Sequence, residues 1–172
     1  MIERRETLPP FRLRGTIIDF ETTGEFNYEY PPTDSRYYEN LQPTIFGYLT
    51  KDYMMQYCAE GENEINKLTR IMAEEPLDEP YFALNTRFER HFLNNYSNRD
   101  LWINDVRMGM RGSKWEIRES LGIPTYDDPF NGDSSKCDTH WIKGDNSSCI
   151  NHNRACLLIE RDILYRRLLD KK

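Results

Sequence analysis

The chain has 172 residues, enough for one domain of ordinary size with a real core, and 38% of them are hydrophobic and 13% aromatic, which excludes a disordered chain. A net charge of −6 argues against a passive nucleic-acid coat, and no run of about 18 apolar residues exists to span a membrane. The opening stretch MIERRETLPPF lacks the apolar core of a signal peptide, so the expected location is the cytosol. There Cys58, Cys137, Cys149 and Cys156 are expected to be free or metal-bound rather than disulfide-bonded.

Residues 1–12 read as a loose arm punctuated by Pro9 and Pro10, and 1–172 as a single domain. A first strand runs over about 14–20, where Thr16, Ile17 and Ile18 are β-branched. It ends in Asp19-Phe20-Glu21, followed by Thr22, Thr23 and Gly24. Residues two apart in a strand share a face, so the two carboxylates repel unless a cation lies between them. After a loop rich in Tyr, Pro and Asn, TIFGYLT and YMMQYCA read as two strands joined at Lys51-Asp52. NEINKLTRIMAEE has apolar residues at helical spacing and stops at Pro76. PYFALN is a fourth strand and TRFERHFLNNY a helix, with Phe88 and Phe92 four apart. LWINDV is a fifth strand, and SKWEIRESLG a short helix closed by Gly122. Residues 123–149 read as a loop, and a long helix runs from about Ser148 to Leu169. The order predicts an α/β domain with a mixed sheet covered by helices.

Charge is unevenly spread. Residues 60–79 hold seven acidic and two basic residues, whereas 107–118 and 152–172 each carry a net +3, which predicts a basic rim beside an acidic site.

IIDFETTG resembles the first motif of the DEDD 3′–5′ exonucleases of the ribonuclease H-like superfamily: a strand ending in Asp-x-Glu. FALNTRFERHFL resembles the second, and CINHNRACLLIERDIL the third. KWEIRESLGIPTYDDPFNG resembles the lead-in to the last helix in predicted ribonuclease H-like exonucleases of bacteria and archaea. The resemblance spans about residues 14–169 and implies a ribonuclease H-like fold, with a five-stranded mixed sheet of three antiparallel strands then two parallel ones. It also implies a metal-dependent 3′–5′ exonuclease on single-stranded DNA or RNA. Two Mg²⁺ or Mn²⁺ ions would be held by Asp19, Glu21, Glu89 and a last-helix carboxylate, with His152 taking a proton from the attacking water. Thr22, Thr23, Asn85 and Phe88 are the implied substrate contacts.

Two positions depart from the pattern. The second-motif carboxylate is Glu89 where the family has Asp, and Cys156 stands four residues after His152, where a carboxylate is expected. Glu160, one turn later on the same face, is the expected replacement, because helical side chains lean toward the N-terminus. Asp162 points to another face, and His140-x4-Asp145 is a literal but loop-bound match. The Cys156 departure leaves open a catalytically weakened nucleic-acid-binding module. The pairs Cys137/His140 and Cys149/His152 leave open a zinc-stabilised binding domain. Tyr28, Tyr30, Tyr37 and Tyr38 are positioned to stack on unpaired bases or to pack on their own sheet.

Overall fold

In the computed structural model, residues 1–9, 11–12, 14–97, 99 and 101–169 are described. Pro10 of the expected arm and Lys171 and Lys172 of the basic C-terminal run lie outside them.

The strands are β1 (Ile2–Thr7), β2 (Thr16–Thr23), β3 (Gln42–Leu49), β4 (Tyr53–Cys58), β5 (Tyr81–Ala83) and β6 (Ile103–Asp105). The helices are α1 (Ile65–Glu74), α2 (Thr86–Ser97), α3 (Lys114–Ser120), α4 (Ser135–Ile142) and α5 (Asn146–Leu169). One mixed sheet has the order β1-β4-β3-β2-β5-β6. β2, β3 and β4 form an antiparallel meander, and β5 and β6 run parallel to β2. The meander followed by parallel strands is as the sequence predicts, but the sheet has six strands, not five.

The extra strand is β1, which was expected to be loose arm. Its residues Ile2 to Thr7 pair antiparallel with Cys58 to Tyr53. IERRET has no buried apolar face of its own, so its extended form is imposed by the β4 edge, and Glu6 is held by Arg154 of α5 through paired hydrogen bonds of 2.6 and 2.7 Å. Within the segment expected as loop, Ser135–Ile142 folds into α4. Trp141 anchors it by donating its indole N–H to the Ala59 carbonyl.

Alternation along β2 positions the site. Ile18 and Phe20 face the cluster containing Phe46, Leu68 and Phe92, on the side covered by α1 and α2. Ile17 faces the other way, into a cluster with Leu157, Leu158 and Leu164 of α5. Asp19 and Glu21 share that second face, so both carboxylates point toward α5. The helix is buried on nearly all sides from Cys149 to Leu164, against β2, β3, β4, α3 and α4. At the end of β2 the pairing shifts between Glu21 and Thr22 beside Pro43, an irregularity of the kind that re-aims side chains at sites.

Among the described residues no helix is long and apolar enough to cross a membrane.

Candidate active site

Asp19 is fixed before any ligand is considered. In the β2–β3 register it lies opposite Gly47. A Cβ on Gly47 would sit 2.1 Å from Oδ1 of Asn153, so the missing side chain is what admits Asn153 to the strand. Asn153 donates its Nδ2 to Asp19 Oδ2 at 2.8 Å and accepts from Gln56 Nε2 at 2.8 Å. The carboxylate is thus aimed by a three-residue relay reaching from β4 through α5.

The other oxygen of Asp19 meets a cation that the sequence left anonymous. Lys114, the first residue of α3, places Nζ 3.1 Å from Asp19 Oδ1 and 2.7 Å from Glu160 Oε1. Its helix start is set by a capping box between Ser113 and Glu116. Burial opposes its charge, but Asp19 and the other acidic groups more than offset that and hold its pKa well above the ordinary lysine value. Glu160 is fully buried and its Oε2 accepts the Leu84 backbone N–H at 3.0 Å. Desolvation raises its pKa, against the pull of Lys114.

Glu89 comes from the first turn of α2 and is 3% exposed. Its Oε2 is buried with no hydrogen-bond partner among the described residues. Burial, then repulsion from Glu160 and Asp19, pushes its pKa well above the usual carboxylate range. Glu21 is likewise raised, first by burial and against the attraction of His152.

His152 is fully buried on α5. Its Nδ1 lies 2.7 Å from Asp128 Oδ1, and Asp128 also accepts the backbone N–H groups of Phe130 (3.0 Å) and Gly132 (2.7 Å). Burial disfavours the imidazolium, but the Asp128 hydrogen bond leads the groups that raise its pKa to about 11. Nε2 points into the cleft, 3.6 Å from Cys156 Sγ and 3.9 Å from Glu21 Oε1.

These groups line one cleft of about 640 Å³. Asp19, Glu21, Glu89, His152, Cys156, Glu160 and Lys114 all face it, as do Thr22, Asn85 and Phe88. Glu160 therefore reaches the cleft as expected, one turn beyond Cys156. Thr23 does not line it: its hydroxyl donates to Asp138 Oδ1 at 2.5 Å, tying β2 to α4.

The zinc tetrad does not assemble. Among the described residues, Glu21, His152 and Cys156 form the one group of three or more His, Cys, Asp or Glu whose ligand atoms all lie within 4.8 Å. His140 Nδ1 instead bonds Asp145 Oδ2 at 2.8 Å, and Asp145 accepts Ser148 N–H at 3.2 Å at the start of α5. His140/Asp145, the literal match to the third-motif spacing, is not part of the site either; neither lines the cleft. Asp162 is likewise outside it, bonded to Arg161 and Tyr126.

The expected basic rim is largely spoken for. Arg154 holds Glu6, Arg161 holds Asp162, Arg107 holds Asp105, and Arg167 donates to the carbonyls of Arg107 and Met108. Of the four tyrosines, Tyr38 is buried and Tyr30 lies under the Arg36 guanidinium at 3.9 Å. Tyr37 stacks on Phe26 at 4.8 Å, and Tyr28, 78% exposed, stands at the cleft mouth with Phe26.

Lys114, Asn153 and Asp128 were not singled out from sequence. Gly47 inside an apolar strand is the signal for the close approach that Asn153 makes. Compared with family models, with curated proteins and with solved structures, the chain matches none.

Proposed function

We propose that the cleft is the active site of a metal-dependent phosphodiester hydrolase with a ribonuclease H-like fold, acting as a 3′–5′ exonuclease on single-stranded DNA or RNA. The observation that carries this reading is an imbalance of buried charge. Asp19, Glu21, Glu89, Asp128 and Glu160 are five buried carboxylates, and two cations, Lys114 and His152, face them. Uncompensated buried charge costs several kcal/mol per ion, so the cluster either takes up protons or recruits cations. The donor set suits a hard divalent cation, and the unpartnered Glu89 Oε2 is an oxygen with nothing else to bind.

Asp19, Glu21, Glu89 and Glu160 would hold Mg²⁺ or Mn²⁺. When bound, two such ions supply an activated water and neutralise charge on the leaving oxygen. The chain's own residues do the rest. Asn153 keeps Asp19 facing the cleft, and Lys114 holds Asp19 and Glu160 together at rest and swings aside if both turn to metal. His152, oriented by Asp128, would release its own proton to solvent as cations enter the cleft and would then accept one from the attacking water. Thr22 and Asn85 offer polar groups to the terminal nucleotide, and Phe26, Tyr28 and Phe88 offer aromatic faces to bases.

The test is a 5′-labelled single-stranded oligonucleotide, DNA and RNA in parallel, with Mg²⁺, Mn²⁺ or chelator. A metal-dependent ladder shortening from the 3′ end, lost in Asp19→Ala and Glu89→Gln, is expected. Absence of products with either metal refutes hydrolysis.

A second reading has its own observation. The Lys114 ammonium already bridges Asp19 and Glu160, as a protein-borne counterion would in a site that binds nucleic acid without cutting it. Salt-sensitive binding of single strands without products supports that reading.

A further inference from the structure

We infer that Glu21, His152 and Cys156 form a three-ligand site for a borderline divalent ion, Zn²⁺ or Co²⁺. The inference rests on the reading of the cleft as a cation site but not on any reaction, and it reassigns His152 from proton acceptor to ligand.

The spacing fits. Tetrahedral ligands at metal distances of roughly 2.0–2.3 Å lie about 3.3–3.7 Å from one another. Here the His152 nitrogen stands 3.6 Å from the Cys156 sulfur and 3.9 Å from the Glu21 oxygen, and all three ligand atoms fall within 4.8 Å. Small rotations of side chains already in place close the remainder.

The supporting contacts match what such ligands need. Asp128 accepts from Nδ1 of His152, which fixes the ring and directs Nε2 at the site. Asp128 is itself held by two backbone N–H groups. His152 and Cys156 are one helical turn apart on the most enclosed helix of the fold, and Glu21 comes from the adjoining strand end. Three protein ligands facing a cleft leave one position open, as in sites where the metal meets water or substrate.

The thiol decides the metal. A carboxylate at position 156 would give two oxygens and the His152 nitrogen, a harder donor set than one with sulfur. Sulfur with imidazole selects Zn²⁺ or Co²⁺ instead. The cysteine that breaks the exonuclease pattern thus reads as a change of metal preference at one of the ion positions.

The test is spectroscopic. Chelator-stripped full chain is titrated with Co²⁺ and followed for the near-ultraviolet thiolate-to-cobalt band and the visible bands of a four-coordinate ion. Wild type is expected to saturate at one equivalent. Zn²⁺ should displace the signal, and millimolar Mg²⁺ should not. Cys156→Ser should lose the thiolate band, while Cys149→Ser keeps it. Cys156→Asp, checked for folding by circular dichroism, should lose the thiolate band. No band in the wild type, or a band that persists in Cys156→Ser, overturns the inference. Magnesium-dependent cleavage without a cobalt band sinks this site and leaves the hydrolase standing; a cobalt band without cleavage does the reverse.

Discussion

Lys114 is the sharpest place to probe the charge balance of the cleft. Its side chain is 15% exposed, and its ammonium contacts two carboxylates, Asp19 at 3.1 Å and Glu160 at 2.7 Å. Lys114→Met keeps the length and removes the charge. Removing one partner of a buried ion pair costs about 3–5 kcal/mol, because the remaining charge is stranded. Asn153 and the Leu84 N–H still support the two carboxylates, which places the expected loss near the lower end, about 3 kcal/mol. For a chain of 172 residues, each kcal/mol moves Tm by roughly 2–4 °C, so in chelator Lys114→Met should melt about 6–12 °C below wild type. Glu160→Gln strands the lysine less severely, since Asp19 remains. The double variant, with both charges gone, should recover part of the loss, giving a coupling of about 1–3 kcal/mol by thermal or urea unfolding. If Lys114→Met melts within 1 °C of wild type in chelator, the lysine is not neutralising buried charge and the accounting of the cleft fails.

Gly47→Ala drives a Cβ to within 2.1 Å of Asn153 Oδ1, and overpacking of this kind costs about 1–3 kcal/mol. Urea midpoints should show that combining it with Asn153→Ala costs less than the two single losses added. Glu6 has its pKa lowered, chiefly by its hydrogen bond to Arg154, so the contact stabilises above the unfolded value near 4.5 and fades as pH falls through the lower folded value. Glu6→Gln should therefore lose about 0.5–1 kcal/mol at pH 7 and little at the most acid pH where the fold survives, read from urea midpoints across that range. Asp128→Asn should weaken Co²⁺ binding by about 10–100-fold in the cobalt titration, since the His152 ring loses its carboxylate partner; an unchanged affinity removes His152 from the ligand set.

The meander and the helices with clean periodicity were legible because their own residues carry the pattern. The runs TIIDF, TIFGYL and YMMQYC are apolar enough to be strands anywhere, and Phe88 and Phe92 mark the buried face of α2. β1 was not legible: IERRET is charged and becomes a strand because β4 offers an open edge. α4 was hidden because SKCDTHWI sits between Gly-, Asp- and Ser-rich segments and is held by long-range contacts of Trp141 and Asp138. The candidate site splits the same way. Asp19, Glu21 and Glu89 sit on elements whose periodicity shows their direction, whereas His152 and Glu160 lie on a helix buried nearly all round and are legible only through the motif spacing; all five line the cleft. Lys114, Asn153 and Asp128 act across sequence separations of 24 to 134 residues, and no local pattern announces such reach. Thr23 follows Thr22 in the motif, but its hydroxyl is taken by Asp138 of α4 beyond the irregularity in the strand.

The order of synthesis gives the all-round burial of α5 a temporal meaning. His152, Cys156 and Glu160 are made after every strand of the sheet. Until α5 docks, Asp19 and Glu21 look into water, Lys114 has no second carboxylate, and Asp128 has no imidazole to hold. A nascent or prematurely ended chain can carry the whole sheet and still lack the cleft. Competence of the cleft thereby waits on a helix that is made after the sheet it completes.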